Sequence, residues 1–531
     1  MTPSTELTGT TVLARFVLRR DRIRVAVWTV AVPLLVLVTA ASVKGLYPTQ
    51  HDLDVAARVS EDNAAAIAFN GPAQGLDTLG GQVAFQVGTF GLVVVALMST
   101  FMTGRHTRAE EETGRAELIG SLPVGRHAGA GAALLVVSAM NAVVGALVAV
   151  GLILMGLPVT GSVVLGLSFC ALGLVFAGIT AVAAQISENT RVVHGATAAC
   201  LGIAFVLRAV GDIGDGTASW LSPIGWVQKT RPFAGERLWP LLLPAVFAVA
   251  AVAVAHALSD RRDVGTGLVA PRPGPPRAAR GLGRPVGLAL RLQRGSLIGW
   301  SCGLFLTGLA YGSVADTVED FIADNEAMEE LITGYGGAGL TDSYLAQSVL
   351  VLALLGAGYT VQSALRLRGE ESGLRAEPVL ATRVSRSHWA AGHLTVTLAG
   401  SVLVLVAGGL GTGLAYGIAA SDLGQVPRLI GAALAYAPAL WLLGGLTTAL
   451  FGFVPRATAA AWAALTACLV VGLLGQALDL PGWARDLSPF EHVPHLPAAD
   501  PGLAAPVFLA ALAAALTTLG LMGFRHRDVG H

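Results

Sequence analysis

The hydrophobic residues of this chain fall in blocks of about 20, separated by polar segments. An α-helix of about that length crosses a hydrocarbon core roughly 30 Å thick. The alternating apolar and polar pattern of a membrane β-barrel does not occur along the sequence. The pattern therefore predicts an all-α polytopic membrane protein with twelve transmembrane helices, at about 25–43, 83–104, 128–156, 161–186, 193–211, 239–258, 297–315, 345–365, 389–419, 427–453, 457–478 and 503–523.

Composition supports the same class, and the distribution of charge orients the chain. Of 531 residues, 54% are hydrophobic and 13% are charged, and the mean hydropathy is +0.66. A soluble protein would carry about a quarter charged residues. With the N-terminus inside, the inner segments hold 26 of the 34 Lys and Arg residues and the outer segments hold seven. Because positive charge concentrates on the cytoplasmic side, we predict that both termini are cytoplasmic and that the protein lies in the cell membrane.

Two inner charged segments repeat each other. Residues 111–117 read Glu-Glu-Thr-Gly-Arg-Ala-Glu, and residues 370–377 read Glu-Glu-Ser-Gly-Leu-Arg-Ala-Glu. Arg126 and Arg386 each follow nine residues after the last glutamate of their segment. Pairing the first glutamates of the two segments sets the copies 259 residues apart. A repeated loop in a hydrophobic chain predicts two fused copies of one membrane unit.

These copies divide the chain into two halves. We predict a first six-span half at 1–258, a cytoplasmic linker rich in Arg and Pro at 259–296, and a second six-span half at 297–531. Both halves start inside, so the two six-helix repeats are parallel. Six plus six spans is a common plan for a transporter whose path runs between the halves.

The sequence carries no visible means of powering transport by itself. A Walker A loop requires a lysine that reaches the β- and γ-phosphates, and neither Lys44 nor Lys229 lies in that motif. An ion-driven carrier is expected to bury carboxylates at mid-membrane, and the predicted spans contain no Asp or Glu. We therefore predict that the chain has no catalytic residues, binds no cofactor itself and is powered by a partner.

The repeated loops are the best candidates for docking that partner. They are cytoplasmic, carry both signs of charge and occur once in each half. Gly114 and Gly373 are expected to break the helix that extends from the preceding span. The candidate coupling residues are Glu111, Glu112, Gly114, Glu117, Arg126, Glu370, Glu371, Gly373, Glu377 and Arg386.

The stretch from Arg108 to Arg126, with its Glu-rich, Gly-containing segment and Pro-Val-Gly-Arg end, resembles the coupling loop of type-2 ABC exporter permeases. The fused twelve-span form is similar to actinobacterial permeases that export polyketide antibiotics and drugs. The resemblance implies a separate cytoplasmic ABC ATPase, a homodimer that binds ATP and Mg. It also implies outward export of a hydrophobic or amphipathic small molecule, and an amphipathic helix before the first span of each half (11–24 in the first half). The second copy departs from the pattern, because Pro378 replaces Leu118 and Arg383 replaces Pro123.

Polar residues within the spans are weaker signals. They are candidates for a substrate path, but hydrogen bonding between helices explains them equally well. The lone charge among them lies near the outer end of its span, where it contacts an anionic cargo or extends to the lipid headgroups. The residues of this set are Gln86, Thr89, Asn141, Arg208 and Gln362.

Two outer segments bear on ligands. Residues 316–344 carry eight acids and no Lys or Arg, so they form either an electronegative vestibule for cationic cargo or a solvated outer helix. His492 and His495 lie three residues apart, but Pro494 prevents a helix that would direct them together. We expect no metal site, and no nucleic-acid partner.

Two other classes of protein remain as alternatives. A twelve-span secondary carrier of the major-facilitator type predicts buried carboxylates and short outer loops. An integral-membrane enzyme acting on lipid predicts an acidic or histidine constellation at the membrane surface. The sequence favours neither of these patterns over the exporter permease.

Overall fold

The computed structural model describes residues 6–61, 64–270, 274, 276–315, 340–474, 481–499 and 502–528. The chain forms two compact units, Met1–Gly274 and Pro275–His531. The division falls inside the segment that the sequence analysis assigned to the linker. Most of the acidic segment 316–344 lies outside the described residues, as does part of the span expected at 457–478.

The first unit is built from helices of two kinds, long apolar ones and short ones at their ends. The helices are α1 (Thr10–Arg20), α2 (Arg22–Leu46), α3 (Gln50–Glu61), α4 (Ala64–Asn70), α5 (Leu79–His106), α6 (Arg108–Glu112), α7 (Arg115–Gly120), α8 (Ala128–Leu154), α9 (Val159–Ile186), α10 (Thr190–Ile213), α11 (Pro223–Gln228) and α12 (Leu242–Ser259).

The second unit follows a similar order of long and short helices. They are α13 (Pro285–Val314), α14 (Leu340–Ala364), α15 (Arg366–Ser372), α16 (Ala376–Leu380), α17 (Arg386–Ala419), α18 (Gln425–Ala435), α19 (Ala437–Phe453), α20 (Ala460–Leu474), α21 (Gly482–Arg485) and α22 (Ala504–His526).

The helices confirm a polytopic membrane protein. Within the described ranges, eleven helices or helix pairs are long and apolar enough to cross a membrane. Each corresponds to one of the predicted spans. The remaining predicted span, 457–478, contains α20, which is shorter and is followed by residues 475–480, outside the described part of the chain.

Two helix boundaries differ from the predicted ones. Helix α13 begins at Pro285, twelve residues before the predicted span, because proline is well suited to the first helical position. The amphipathic segment before the second half is therefore continuous with its span, whereas α1 is separated from α2 at Asp21. The predicted span 427–453 is divided at Tyr436, because Pro438 has no N–H to continue the helical hydrogen bonds of α18.

Small residues allow the long helices to approach closely. A Cβ atom on Gly145 of α8 would lie 2.5 Å from the carbonyl oxygen of Gly166 in α9. In the second unit, a Cβ atom on Gly452 of α19 would lie 2.1 Å from the carbonyl oxygen of Gly520 in α22. Such backbone contact is the usual basis of helix association in a membrane, where the lipid offers no hydrophobic drive.

In the first unit, one end of the bundle collects the charged residues. Helix α1, the segment between α5 and α8, and the residues that follow α12 meet there through ion pairs. In the second unit, the segment between α14 and α17 meets the residues that follow α22 in the same way. We call these the charged ends, and they contain the two loops singled out in the sequence.

Candidate functional site: two charged loops and the tails of the last helices

The first loop is a pair of short helices, α6 and α7, joined at Gly114. This glycine has a φ of +72°, a left-handed conformation that it adopts more readily than residues with a Cβ atom. The helix that extends from α5 therefore ends here, as the sequence predicted. Before the turn, Glu110 and Glu111 of α6 are half-buried and Glu112 is exposed; after it, Glu117 of α7 is exposed to solvent.

Glu111 is held by a clamp of two arginines. Its carboxylate accepts a hydrogen bond of 2.7 Å from Arg108 and two of 2.7 Å from Arg262. Paired bonds of this kind are among the stronger ion-pair geometries. Arg108 is buried and also donates to the carbonyl oxygens of Gly265 and Thr266. The tail after α12 is thereby fastened to the first loop.

The other two glutamates of α6 also bind neighbouring elements. Glu110 accepts two hydrogen bonds from Arg20 of α1, at 3.0 and 2.6 Å. Glu112 accepts bonds from the backbone N–H and the hydroxyl of Thr190, at 3.0 and 2.5 Å, and so caps the start of α10. The glutamates of the first loop therefore join α1, α10 and the tail after α12.

Asp21, between α1 and α2, adds a further link at the same end. It is buried, and it accepts hydrogen bonds from Arg24 at 2.7 Å and from Arg105 at 2.7 and 3.2 Å. Burial disfavours its charged form, but the hydrogen bonds and charges of these arginines hold the pKa of Asp21 below its usual value. Asp21 thus stays ionised where α2 meets the end of α5.

The second loop contains an equivalent clamp. Glu371 is 3% exposed and pairs with Arg368 at 3.0 Å and with Arg527 at 2.7 Å. Arg527 follows α22, the last helix of the second unit. Its guanidinium also lies over the rings of Phe451 and Phe524, with centroid distances of 4.8 and 5.2 Å. The tail after the last helix is therefore fastened to the loop in both units.

Glu370 occupies the position that Glu110 has in the first loop. Its carboxylate pairs with Arg375 at 2.9 Å and with Arg366 at 2.7 Å. In the first loop, Arg115 lies 3.7 Å from Glu110 and Arg20 supplies the second guanidinium. Arg366 of α15 therefore pairs with Glu370 as Arg20 of α1 pairs with Glu110.

The structure corrects the register of the two loops. The sequence alignment paired Glu111 with Glu370, but the clamps pair Glu111 with Glu371, an offset of 260 residues. The same offset relates Arg126 to Arg386. It also aligns Gly114 with Leu374, and Leu374 is the residue with a positive φ, +57°. Gly373 has a φ of −87°, so it is not the left-handed residue at which the second loop turns.

Arg126 and Arg386 contact the same part of their units. Arg126 donates to the carbonyl oxygens of Ser259 and Arg262, at 2.9 and 3.0 Å. Arg386 donates to the carbonyl oxygen of Arg527 at 2.6 Å and lies 3.5 Å from that of Arg525. Each arginine thus binds the C-terminal end of the last helix, where the unpaired carbonyls carry partial negative charge.

The sequence analysis missed Arg262 and Arg527. It had assigned 259–296 to a flexible linker, yet residues 262–269 are ordered by bonds such as those from Leu268 and Val269 to the carbonyl oxygens of Gln185 and Ile186. A signal was present in the sequence, because Arg-Asp-Val-Gly occurs at 262–265 and again at 527–530. This repeat marks the tail after the last helix of each half.

The exposed surfaces of the two loops differ. Leu118 and Leu122 in the first loop are 73% and 58% exposed. In the second loop, Pro378 is exposed, while Val379 and Leu380 pack against a core that includes Trp389. Glu377 is exposed, like Glu117. Apart from Leu374 at its turn, the second loop therefore exposes less apolar surface than the first.

The candidate path residues do not gather into one site. Asn141 donates to Ser99 in α5, at 2.9 Å, and Gln362 accepts from the indole N–H of Trp300, at 2.6 Å. Thr89 accepts a 3.0 Å bond from Gln228 and donates to the carbonyl oxygen of Asn70. Gln86 is half-buried on the same helix as Thr89. The hydrogen bonds of Asn141, Gln362 and Thr89 therefore join helices or hold the segments between them.

Arg208 neither extends to the surface nor lies open to a cargo. It is fully buried and donates to the carbonyl oxygens of Ile67 and Phe69, at 3.2 and 3.3 Å, at the end of α4. Asp212, one turn further along α10, lies 3.5 Å from it. The expectation that Arg208 extends to the lipid headgroups was wrong, because the carbonyls of α4 use its donors. Arg208 fastens α4 to α10.

The remaining sequence candidates have separate partners. His492 lies 2.8 Å from the carbonyl oxygen of Asp486, and His495 lies 3.5 Å from the hydroxyl of Tyr436. Within the described part of the acidic segment, Asp342 pairs with Arg428 at 2.7 Å.

A known protein is similar to this chain over nearly its whole length. The multidrug efflux system permease protein Rv1217c of Mycobacterium tuberculosis (strain ATCC 25618 / H37Rv) is 43% identical over 526 residues, which are 98% of this chain and 95% of that protein. Residues 282–525 match the family "Multidrug efflux system permease Rv1217c, C-terminal domain". The chain belongs to the Rv1217c family of efflux permeases.

Membership of the Rv1217c family confirms the resemblance to exporter permeases that the first loop indicated. It identifies the chain as a multi-pass membrane protein that acts in efflux and as a transport subunit rather than an enzyme. The region matched to the C-terminal domain of Rv1217c contains the second loop, and Arg527 lies just beyond its last matched residue.

Proposed function

We propose that this efflux permease is driven by a separate cytoplasmic ABC ATPase, a homodimer that binds ATP and Mg and docks on the two charged loops. Both termini then lie in the cytoplasm, and a hydrophobic or amphipathic small molecule moves outward. The absence of a Walker A motif from the sequence supports an external source of energy. The name of the Rv1217c relative supports a drug-like cargo.

The observation that carries the proposal is the matched pair of clamps. In each unit a glutamate of the loop at the charged end is joined by an ion pair to the tail of the last helix. A force applied to such a loop reaches a membrane helix directly. In the proposed cycle, ATP-driven closure of the ATPase moves both loops, and each loop moves the last helix of its own unit.

The structure changes which residues are suitable for testing docking. Glu111, Glu370 and Glu371 are engaged in ion pairs within the protein, so their replacement disturbs the loop itself. Leu118 is exposed and forms no ion pair, so its replacement is the better test of docking. An aliphatic side chain of this kind acts as an interface anchor when a pocket of the partner buries it.

The experiment is copurification of the permease with a candidate ATPase encoded beside it. Leu118→Asp is expected to lower the amount of bound ATPase about tenfold, since losing one buried anchor costs roughly 1–3 kcal/mol. Leu487→Asp is the matched control, because Leu487 is 80% exposed and lies outside the loops. Unchanged binding and unchanged substrate-stimulated hydrolysis in Leu118→Asp would show that the first loop is not the docking surface.

A second measurement separates ATP from an ion gradient as the source of energy. In vesicles that contain the permease and its ATPase, efflux is expected to continue when the proton gradient is collapsed and ATP is supplied. Loss of efflux under these conditions would favour the ion-coupled carrier.

A further inference from the structure

Two histidines and two carboxylates meet at the charged end of the first unit, apart from the loop clamps. Oxygen and nitrogen atoms of Glu6, His127 and His256 lie within 4.8 Å of one another. The rings of the two histidines have centroids 3.8 Å apart. Asp260 lies 3.0 Å from Nε2 of His127. Three separate parts of the unit contribute, namely the residues before α1, the start of α8 and the end of α12.

We propose that Glu6, His127 and His256 bind a zinc ion. Imidazole nitrogen and carboxylate oxygen are ligands that zinc accepts, and a protein site with three such ligands commonly adds water as the fourth. The two carboxylates near the site offset the charge of the cation. The ligand set contains no thiolate, so it suits zinc better than copper(I).

His127 is positioned for this role by the fold. It is buried directly before α8, and its backbone N–H donates to the carbonyl oxygen of Glu6 at 3.1 Å. This bond brings the residues before α1 to the site. The carboxylate of Asp260 orients the imidazole, as acidic residues commonly do for histidines that bind metals.

A modest movement of exposed side chains completes the site. Ligands about 2.0–2.2 Å from one zinc ion lie roughly 3.3–3.6 Å apart in a tetrahedral arrangement. No two of the ligand atoms lie more than 4.8 Å apart, so they have to approach each other by at most about 1.2–1.5 Å. His256 is exposed and Glu6 is half-buried, so both have room to change rotamer, whereas His127 is fixed.

The consequence of binding is a second fastening of the last helix. The zinc ion would join the end of α12 to the residues before α1 and to α8, next to the clamp between Arg262 and Glu111. The proposal does not depend on the ATPase, since the ligands all belong to one unit of this chain.

The test is zinc binding by the full-length protein in detergent, purified with a tag that contains no histidine. One zinc per chain is expected, measured by titration with zinc chloride against a chromogenic chelator. His256→Ala and Glu6→Gln are each expected to lower the zinc affinity at least tenfold. His526→Ala is the matched control, because His526 is exposed in the last turn of α22, as His256 is in the last turn of α12.

A second readout does not depend on affinity. Zinc is expected to raise the melting temperature of the wild-type protein and of His526→Ala, but not of His256→Ala. X-ray absorption of the zinc-loaded protein should show two imidazole ligands. Equal binding by wild type and His256→Ala, or a zinc spectrum without imidazole, would overturn the proposal.

Discussion

At the scale of single residues, the left-handed turn of each loop is occupied differently. Gly114 adopts a φ of +72° freely, and the space where its Cβ would lie is open, whereas Leu374 adopts +57° against the preference of a residue with a Cβ atom. Leu374→Gly is therefore expected to be nearly neutral or to stabilise the second loop slightly, and Gly114→Ala to destabilise the first by about 1 kcal/mol. Thermal unfolding in detergent measures both.

The sign of these two effects is the decisive result. A loss of stability in Leu374→Gly as large as that in Gly114→Ala would contradict the backbone argument. It would mean that the exposed Leu374 side chain contributes contacts that outweigh its conformational cost.

The buried glutamate of the second clamp provides a second prediction at this scale. Glu371→Ala leaves Arg368 and Arg527 without their carboxylate, and we expect a loss of about 1–3 kcal/mol, below the range for fully buried pairs because both arginines are partly exposed. Glu377→Ala, at an exposed position of the same loop, is the control and should change stability by less than about 0.5 kcal/mol. Equal melting temperatures for the two variants would contradict the clamp.

At the scale of helices, Arg208 predicts how the segment between α2 and α5 is held. Arg208→Met removes the donors to the carbonyls of α4 and leaves Asp212 buried without its cation. We expect faster hydrogen exchange at residues 64–70 and a loss of about 2–4 kcal/mol, part of which Asp212→Asn restores in the double variant. Unchanged exchange in α4 would show that other contacts hold it.

The helices also show what the sequence pattern could and could not predict. Apolar length identified each long helix because the membrane imposes it. It could not place the division at Tyr436, since both sides of Pro438 are equally apolar, nor the start of α13, since residues 285–296 are too polar to count as a span. The loops were found from their repeated charges, but the pairings of Glu111 with Glu370 and of Gly114 with Gly373 were each one residue out of register. Sequence similarity aligned Gly373 with Gly114. The ion pairs that Arg375 and Arg527 form with Glu370 and Glu371 instead define the alignment of the two loops.

At the scale of the whole molecule, the repeated Arg-Asp-Val-Gly tails mark where each charged loop is joined to the last helix of its unit. Docking of an ATPase requires only exposed residues on the loops. Transmission requires that each loop be joined to a helix in the membrane, and Arg262 and Arg527 supply this connection in their units. Docking and transmission therefore depend on different residues and can be separated by experiment.

Arg262→Gln and Arg527→Gln, singly and together, are expected to leave the amount of copurified ATPase unchanged. Because the loops then move without the last helices, stimulation of ATP hydrolysis by substrate should fall several-fold, and most in the double variant. Arg525→Gln is the control, since Arg525 is exposed and only its carbonyl oxygen contacts Arg386. If the tail variants lose the ATPase itself, the tails form part of the docking surface; if stimulated hydrolysis stays at the wild-type level, the force reaches the membrane helices by another route.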